Sequence, residues 1–131
     1  MELLQLANDI KAACGPQFVK KSYLLPEHAH PTWGNCYVAS EALYHLGAKK
    51  AGFKPHHVEV EIRLCNQPWW VNHWFLRNPE TKEVLDPTVE QFKGTIPEYD
   101  QGICRGFLTK KPSNRCKRML ARIKKNRRVQ C

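Results

Sequence analysis

Residues 58–86 read VEVEIRLCNQPWWVNHWFLRNPETKEVLD, and this stretch decides the fold. Val58, Val60, Ile62 and Leu64 alternate with Glu59, Glu61 and Arg63, the two-residue period of a strand with one face buried. Asn66, Gln67 and Pro68 mark a turn, Trp70 to Arg77 reads as a second strand, Asn78-Pro79-Glu80-Thr81 as another turn, and Lys82 to Asp86 as a third strand. The three form an antiparallel meander. With the second turn centred between Pro79 and Glu80, Arg77 faces Lys82, Leu76 faces Glu83 and Phe75 faces Val84; continuing the count, His73 faces Asp86. Opposed residues hold their Cβ atoms about 4.5 to 5.5 Å apart on one face, so the carboxylate can accept a hydrogen bond from an imidazole N–H. Such an Asp fixes the tautomer and leaves the other ring nitrogen for a proton from a nucleophile.

The nucleophile lies upstream. Val38, Ala39, Ala42, Leu43 and Leu46 give an apolar helical face that Thr32 or Asn35 can cap, and Gly47 stands where a left-handed C-terminal residue is wanted. Cys36 then falls in the first turn, where backbone N–H groups without intrahelical partners and the positive end of the helix dipole favour the thiolate. Gly34 lets the loop approach a substrate carbonyl, and the Cys36 N–H can donate to an oxyanion. Trp74, with Trp70, Phe75 and Leu76, reads as core and cleft wall.

The remaining elements frame this unit. Leu3, Leu4, Leu6, Ala7, Ile10 and Ala13 or Cys14 recur at helical steps and predict a first helix ended by Gly15 and Pro16. Residues 17–34, with Pro26, His28, His30 and Pro31, read as loop with one short extended piece, and the chain beyond Pro87 reads as irregular. Pro112 and Ser113 open a last helix with Cys116, Met119, Leu120 and Ile123 on one face. The 131 residues fit one α+β domain spanning 1–131. Of its 21 Lys and Arg, eleven lie between Arg105 and Cys131, where no acidic residue occurs, so the body is nearly neutral and the C-terminal segment is basic. The six cysteines include no C-x-x-C pair, and the first residues carry Glu2, Asp9 and Lys11 where a signal peptide would be apolar. Reduced thiols, a cytoplasmic setting and no membrane span are the expectation.

Three short stretches, taken together, resemble the transglutaminase-like branch of the papain-like superfamily. Trp33-Gly34-Asn35-Cys36-Tyr37 is similar to the family's Gly-Gln-Cys-Trp nucleophile turn, Asn72-His73-Trp74-Phe75 to its His strand, and Leu85-Asp86-Pro87-Thr88 to its Asp-Pro-Thr ending. The resemblance covers residues 32–88. It implies a nucleophile helix packed on a small antiparallel sheet, no cofactor, and acyl-enzyme chemistry on an amide, thioester or ester by a Cys36–His73–Asp86 triad. Asn35 stands where the family has Gln, and the chain is much shorter than protein-crosslinking enzymes, which turns the expectation toward a compact protease, deamidase or acyltransferase. For the second oxyanion donor and the substrate contacts the candidates are Gln17, Trp33, Asn35 and Trp74. Should Asp86 not orient His73, Asp100 is the alternative.

Two readings compete. The basic segment Arg105 to Cys131 can bind nucleic acid as a binding module with a degenerate enzyme core, or it can steer an acidic peptide or protein substrate toward the cleft. Regularly interleaved aromatics are missing from it, which weakens single-strand stacking. His28-x-His30, His56-His57 and the scattered cysteines raise a metal site, but none has the paired spacing of a closed zinc centre, and no metal is expected.

Overall fold

A computed structural model describes residues 2–19, 29–64 and 66–130. Pro26, His28, Cys65 and Cys131 lie outside the described residues. Helix α1 (Leu3–Ala13) is followed by a 3₁₀ turn at Pro16–Phe18, helix α2 (Cys36–Leu43), strands β1 (Lys54–Leu64), β2 (Gln67–Arg77), β3 (Val84–Leu85) and β4 (Ile103–Cys104), and helix α3 (Asn114–Gln130). Among the described residues the architecture is α+β, three α-helices with a four-stranded antiparallel sheet of order β3-β2-β1-β4.

The long hairpin supplies most of the sheet. β1 and β2 pair without interruption from Lys54 opposite Arg77 to Leu64 opposite Gln67. Gln67 and Pro68, read from sequence as turn, therefore belong to the strand, Gln67 facing Leu64, and Asn66 just before them takes a φ of 63°. Alternation divides the burial as the sequence pattern requires: Val58, Val60 and Phe75 pack with Phe92 on one side, while Leu76 joins the helices on the other. The helical core holds Leu6 and Ile10 of α1, Val38, Ala42 and Leu43 of α2, and Cys116, Met119 and Ile123 of α3.

The basic C-terminal segment is therefore folded from Asn114 onward, with its apolar stripe in the core and its cations outward. Ser113 caps α3 by accepting the Cys116 N–H at 3.2 Å. The Ser113 N–H and hydroxyl donate to the fully buried Glu41 of α2 at 2.7 and 2.6 Å. That carboxylate sits at the positive end of α3, where a negative charge is stabilising.

Four expectations need correction. The third strand is two residues long and its register differs by two: Leu76 faces Leu85 and Arg77 faces Val84. The cause is a wider turn. Asn78 accepts the N–H groups of Glu80 and Thr81 on its side chain, at 2.9 and 3.3 Å, and that of Lys82 on its carbonyl at 2.8 Å, with Lys82 at a φ of 68°. Asn35 occupies the N-cap position of α2 without a side-chain cap bond, its amide being used elsewhere. Gly47 has a φ of 172°, so it is not a left-handed stop, and the helix instead widens into a π turn at Tyr44–Ala48. The irregular region after Pro87 contains β4, which pairs Ile103 and Cys104 with His57 and His56; two residues are too few for a periodic signal.

Candidate active site

Cys36 opens α2, buried to 7 % exposure. It is delivered there by a tight turn in which the Trp33 N–H donates to the His30 carbonyl at 2.9 Å and the Asn35 N–H to that of Thr32 at 3.1 Å. Gly34, at a φ of 72°, makes the bend that an L side chain resists, and its N–H donates to the Gln91 side chain at 3.2 Å. Asn35 then locks the turn to the end of α1. Its amide nitrogen donates to the carbonyls of Gly15 (3.1 Å) and Trp33 (2.8 Å), and its amide oxygen accepts the Gly15 N–H (3.2 Å).

His73 sits at the middle of β2, fully buried, with the Phe92 ring edge-on at 4.8 Å and Phe75 stacked at 6.2 Å. Its Nε2 lies 2.7 Å from Asp86 Oδ2, and the Asp86 side chain is 4 % exposed. The two-residue change of register keeps parity. Extended past Leu85, it would set Asp86 opposite Phe75, on the same face as His73 and diagonal to it, within reach of an imidazole. A one-residue slip would have separated them.

With Nε2 on Asp86, Nδ1 is the ring nitrogen left for a thiol, and it has no hydrogen-bond partner among the described residues. Burial pulls the imidazolium down, but the hydrogen bond to Asp86, together with the nearby Cys36 thiol and the charges of both, outweighs it and pushes His73 up to about 9. The Cys36 sulfur lies 3.9 Å from the carbonyl oxygen of Asn72, the residue before His73. The Tyr99 hydroxyl donates to the same Asp86 oxygen at 2.7 Å. Burial first, then the Asp86 charge, raises the Tyr99 pKa, so it stays a donor. Tyr99 is held in turn by Arg77, whose Nη1 donates to its carbonyl at 3.1 Å and whose Nη2 pairs with Asp100 at 2.7 Å. Asp100 is thus committed to Arg77, and Asp86 is the carboxylate at His73.

A cavity of about 280 Å³ opens at Cys36, with Gly34, Tyr37, Asn72 and Trp74 around it and Arg105 and Arg115 on the C-terminal side. Trp74 meets Tyr37 edge-on at 4.9 Å and stacks on Phe107 at 5.9 Å, forming an aromatic wall. The other sequence candidates are placed elsewhere. Trp33 lines a separate cavity of about 540 Å³ with Ile62 and Phe92. The Asn35 amide is turned to Gly15, and Gln17 is exposed on the 3₁₀ turn, outside the lining of the Cys36 cavity. Sequence reasoning missed Tyr37, Tyr99, Arg105 and Arg115. Only Tyr37, adjacent to Cys36, carried a local signal; the rest come from 26 or more residues beyond His73 and depend on chain return.

Of the histidines raised as metal ligands, the described ones have other partners: His30 bonds Thr32 Oγ1 at 2.8 Å, His56 the Lys54 carbonyl at 2.9 Å, and His57 Asn72 Oδ1 at 3.0 Å. Among the described residues no three His, Cys, Asp or Glu side chains converge as a metal site, and no helix is long and apolar enough to cross a membrane. Comparison of the chain with protein-family models, curated proteins and solved structures finds no match.

Proposed function

We propose that this chain is a cysteine-dependent hydrolase or acyltransferase of papain-like or transglutaminase-like character, acting on an amide, thioester or ester. The observation that supports it is the fully buried His73, held on Nε2 by Asp86 at 2.7 Å, with the sulfur of Cys36, at the N-terminus of α2, 3.9 Å from the carbonyl of the adjacent Asn72. The proton of the Cys36 thiol rests on His73 Nδ1 as the imidazolium, and the sulfur forms a bond to the substrate carbonyl carbon. The charge that moves to oxygen is met by the Cys36 N–H, one of the orphan donors of α2. As the tetrahedral species collapses, the carbonyl reforms, the bond to the amine, thiol or alcohol breaks, and His73 returns its proton to that leaving group. His73 then deprotonates water or an acceptor amine, which attacks the thioester and releases Cys36. Asp86 keeps the tautomer and balances the imidazolium throughout.

The test is the pH dependence of Cys36 alkylation by iodoacetamide, read by peptide mass spectrometry with the other cysteines as internal controls. Cys36 is expected to react well below about pH 8, where an ordinary thiol is protonated, and to lose that advantage in His73→Ala. A Cys36 that alkylates like Cys104 sinks the mechanism.

A second reading draws on α3, whose exposed Lys117, Arg118, Lys124, Lys125 and Arg128 offer a cationic face for nucleic acid. Binding of fluorescent single- or double-stranded DNA that weakens with salt and disappears when these five become Gln supports it. Binding that survives the five substitutions removes it.

A further inference from the structure

Among the described residues, the cleft at Cys36 is lined by two arginines and no carboxylate. Arg105 follows β4 and Arg115 stands in the first turn of α3. Both are placed by backbone anchors. The Arg105 N–H donates to the Pro55 carbonyl at 3.0 Å, and the Leu108 N–H donates to the Tyr37 hydroxyl at 2.8 Å, so the loop between is tied to β1 and to α2. Arg115 Nη1 donates to the Phe18 carbonyl at 3.1 Å, beside an α3 start already fixed by Glu41. Among the described residues neither guanidinium pairs with an acid. A guanidinium has five N–H donors, and one carbonyl uses one or two of them.

This charge is local to the cleft and not a share of a uniformly basic surface. The adjoining cavity of about 610 Å³ also reaches Asn72, yet among the described residues it is lined by Glu59 and Glu98 and by no Lys or Arg. A ligand lying across Asn72 therefore meets cations on one side and anions on the other. We propose that Arg105 and Arg115 bind a carboxylate of the substrate, so that Cys36 acts on acidic peptides whose Asp or Glu side chain lies beside the bond attacked. The inference rests on the cysteine-enzyme reading. Arginine suits it because its planar fork matches a carboxylate in two parallel hydrogen bonds, and the aromatic wall of Tyr37 and Trp74 limits hydration on one side of the pair.

Two reagents test it without a known substrate. Iodoacetate and iodoacetamide each form an S–C bond to Cys36 as iodide leaves, and only the first carries a carboxylate. Rates for both are measured at neutral pH on the full chain, in the native protein, in Arg105→Gln and in the Arg105→Gln/Arg115→Gln double variant. The double variant is expected to lower the iodoacetate rate about three- to tenfold, as loss of two modest ion pairs should, while iodoacetamide changes less than about twofold. Arg105→Gln, which leaves the Phe18 contact intact, is expected to show part of the same selective fall. Equal iodoacetate rates in all three proteins overturn the carboxylate site and leave the cysteine reading standing. A fall in both reagents together also overturns it, since the arginines would then support the fold or the thiol. A Cys36 inert to both reagents in the native chain overturns both inferences.

Discussion

Cys14 and Cys36 are each 7 % exposed, and each stands at a helix end, yet the two ends prepare opposite chemistry. Cys14 follows the last residue of α1, where carbonyls are left over, and its thiol donates to the Ile10 carbonyl at 3.3 Å. Burial, with the Cys36 charge adding and Lys11 opposing, pushes Cys14 up to about 12. Cys36 begins α2, where N–H groups are left over, and under the proposed function it has His73 as a base. Burial does not distinguish filler from nucleophile; helix polarity and a partnered imidazole do. The comparison breaks if the thiols are interchangeable. Cys36→Ala should abolish the burst of nitrophenolate from p-nitrophenyl acetate and the acetylated peptide at residue 36, whereas Cys14→Ala should keep both while costing about 1 kcal/mol in denaturant unfolding. An equal loss of burst in the two variants would refute the distinction.

The imidazole half of the contrast depends on Asp86. Asp86→Asn retains an oxygen that can accept from Nε2 but loses the charge that balances the imidazolium, so His73 should drop from about 9 toward its ordinary value. The acylation rate should fall by roughly 10²–10⁴, the range of a well-placed acid–base group, and the alkylation advantage of Cys36 should shrink with it. An unchanged rate would mean that Asp86 packs against His73 without tuning it.

Stability against pH sharpens the same comparison. The folded state holds His73 protonated up to about 9 while the unfolded chain releases that proton near 6.5. The stabilisation is therefore complete below about pH 6.5 and lost as pH rises through about 9; a shift of that size corresponds to roughly 3 kcal/mol. Cys14 and Cys116, both raised from 9.0 to about 12, give a second loss in the window above it, because the unfolded thiols ionise first. Urea midpoints across this range should decline in two stages, with His73→Gln flattening the first and Cys14→Ala the second. A single stage, insensitive to His73→Gln, would contradict the buried imidazolium.

Much of this was legible in residues 32–88, for a physical reason. Strand alternation in β1, the helical stripe of α2 and the placing of His73 and Asp86 on neighbouring strands are short-range patterns, and they pointed to the buried His73–Asp86 pair. The exact register was not legible, since it turned on Asn78 closing a wider turn through its own side chain. The pairing survived because the error was an even number of residues. β4, Tyr99, Arg105 and Arg115 were not legible because their positions follow from how the chain after Pro87 returns across β1 and the helices, where few residues repeat. The basic segment was legible as a helix for a related reason: its composition is that of a solvated face, yet Cys116, Met119, Leu120 and Ile123 repeat at helical steps, and that stripe packs into the core.

Tyr99 offers the finest distinction, because its hydroxyl touches neither thiol nor imidazole and acts only through Asp86. Tyr99→Phe keeps the ring packed edge-on against Phe75 at 5.0 Å and removes the 2.7 Å donor to Asp86 Oδ2. Two consequences oppose each other. The carboxylate is held less firmly, which should slow acylation about fivefold, the worth of roughly 1 kcal/mol of lost hydrogen bonding. The same carboxylate, no longer sharing its oxygen, stabilises the imidazolium more, so the alkaline limb governed by His73 should move further up from about 9. A merely structural hydroxyl would lower the thermal midpoint and leave that limb where it was. Measuring the limb by the pH dependence of Cys36 alkylation in Tyr99→Phe therefore separates a positioning residue from a packing one, and an unmoved limb assigns Tyr99 to packing.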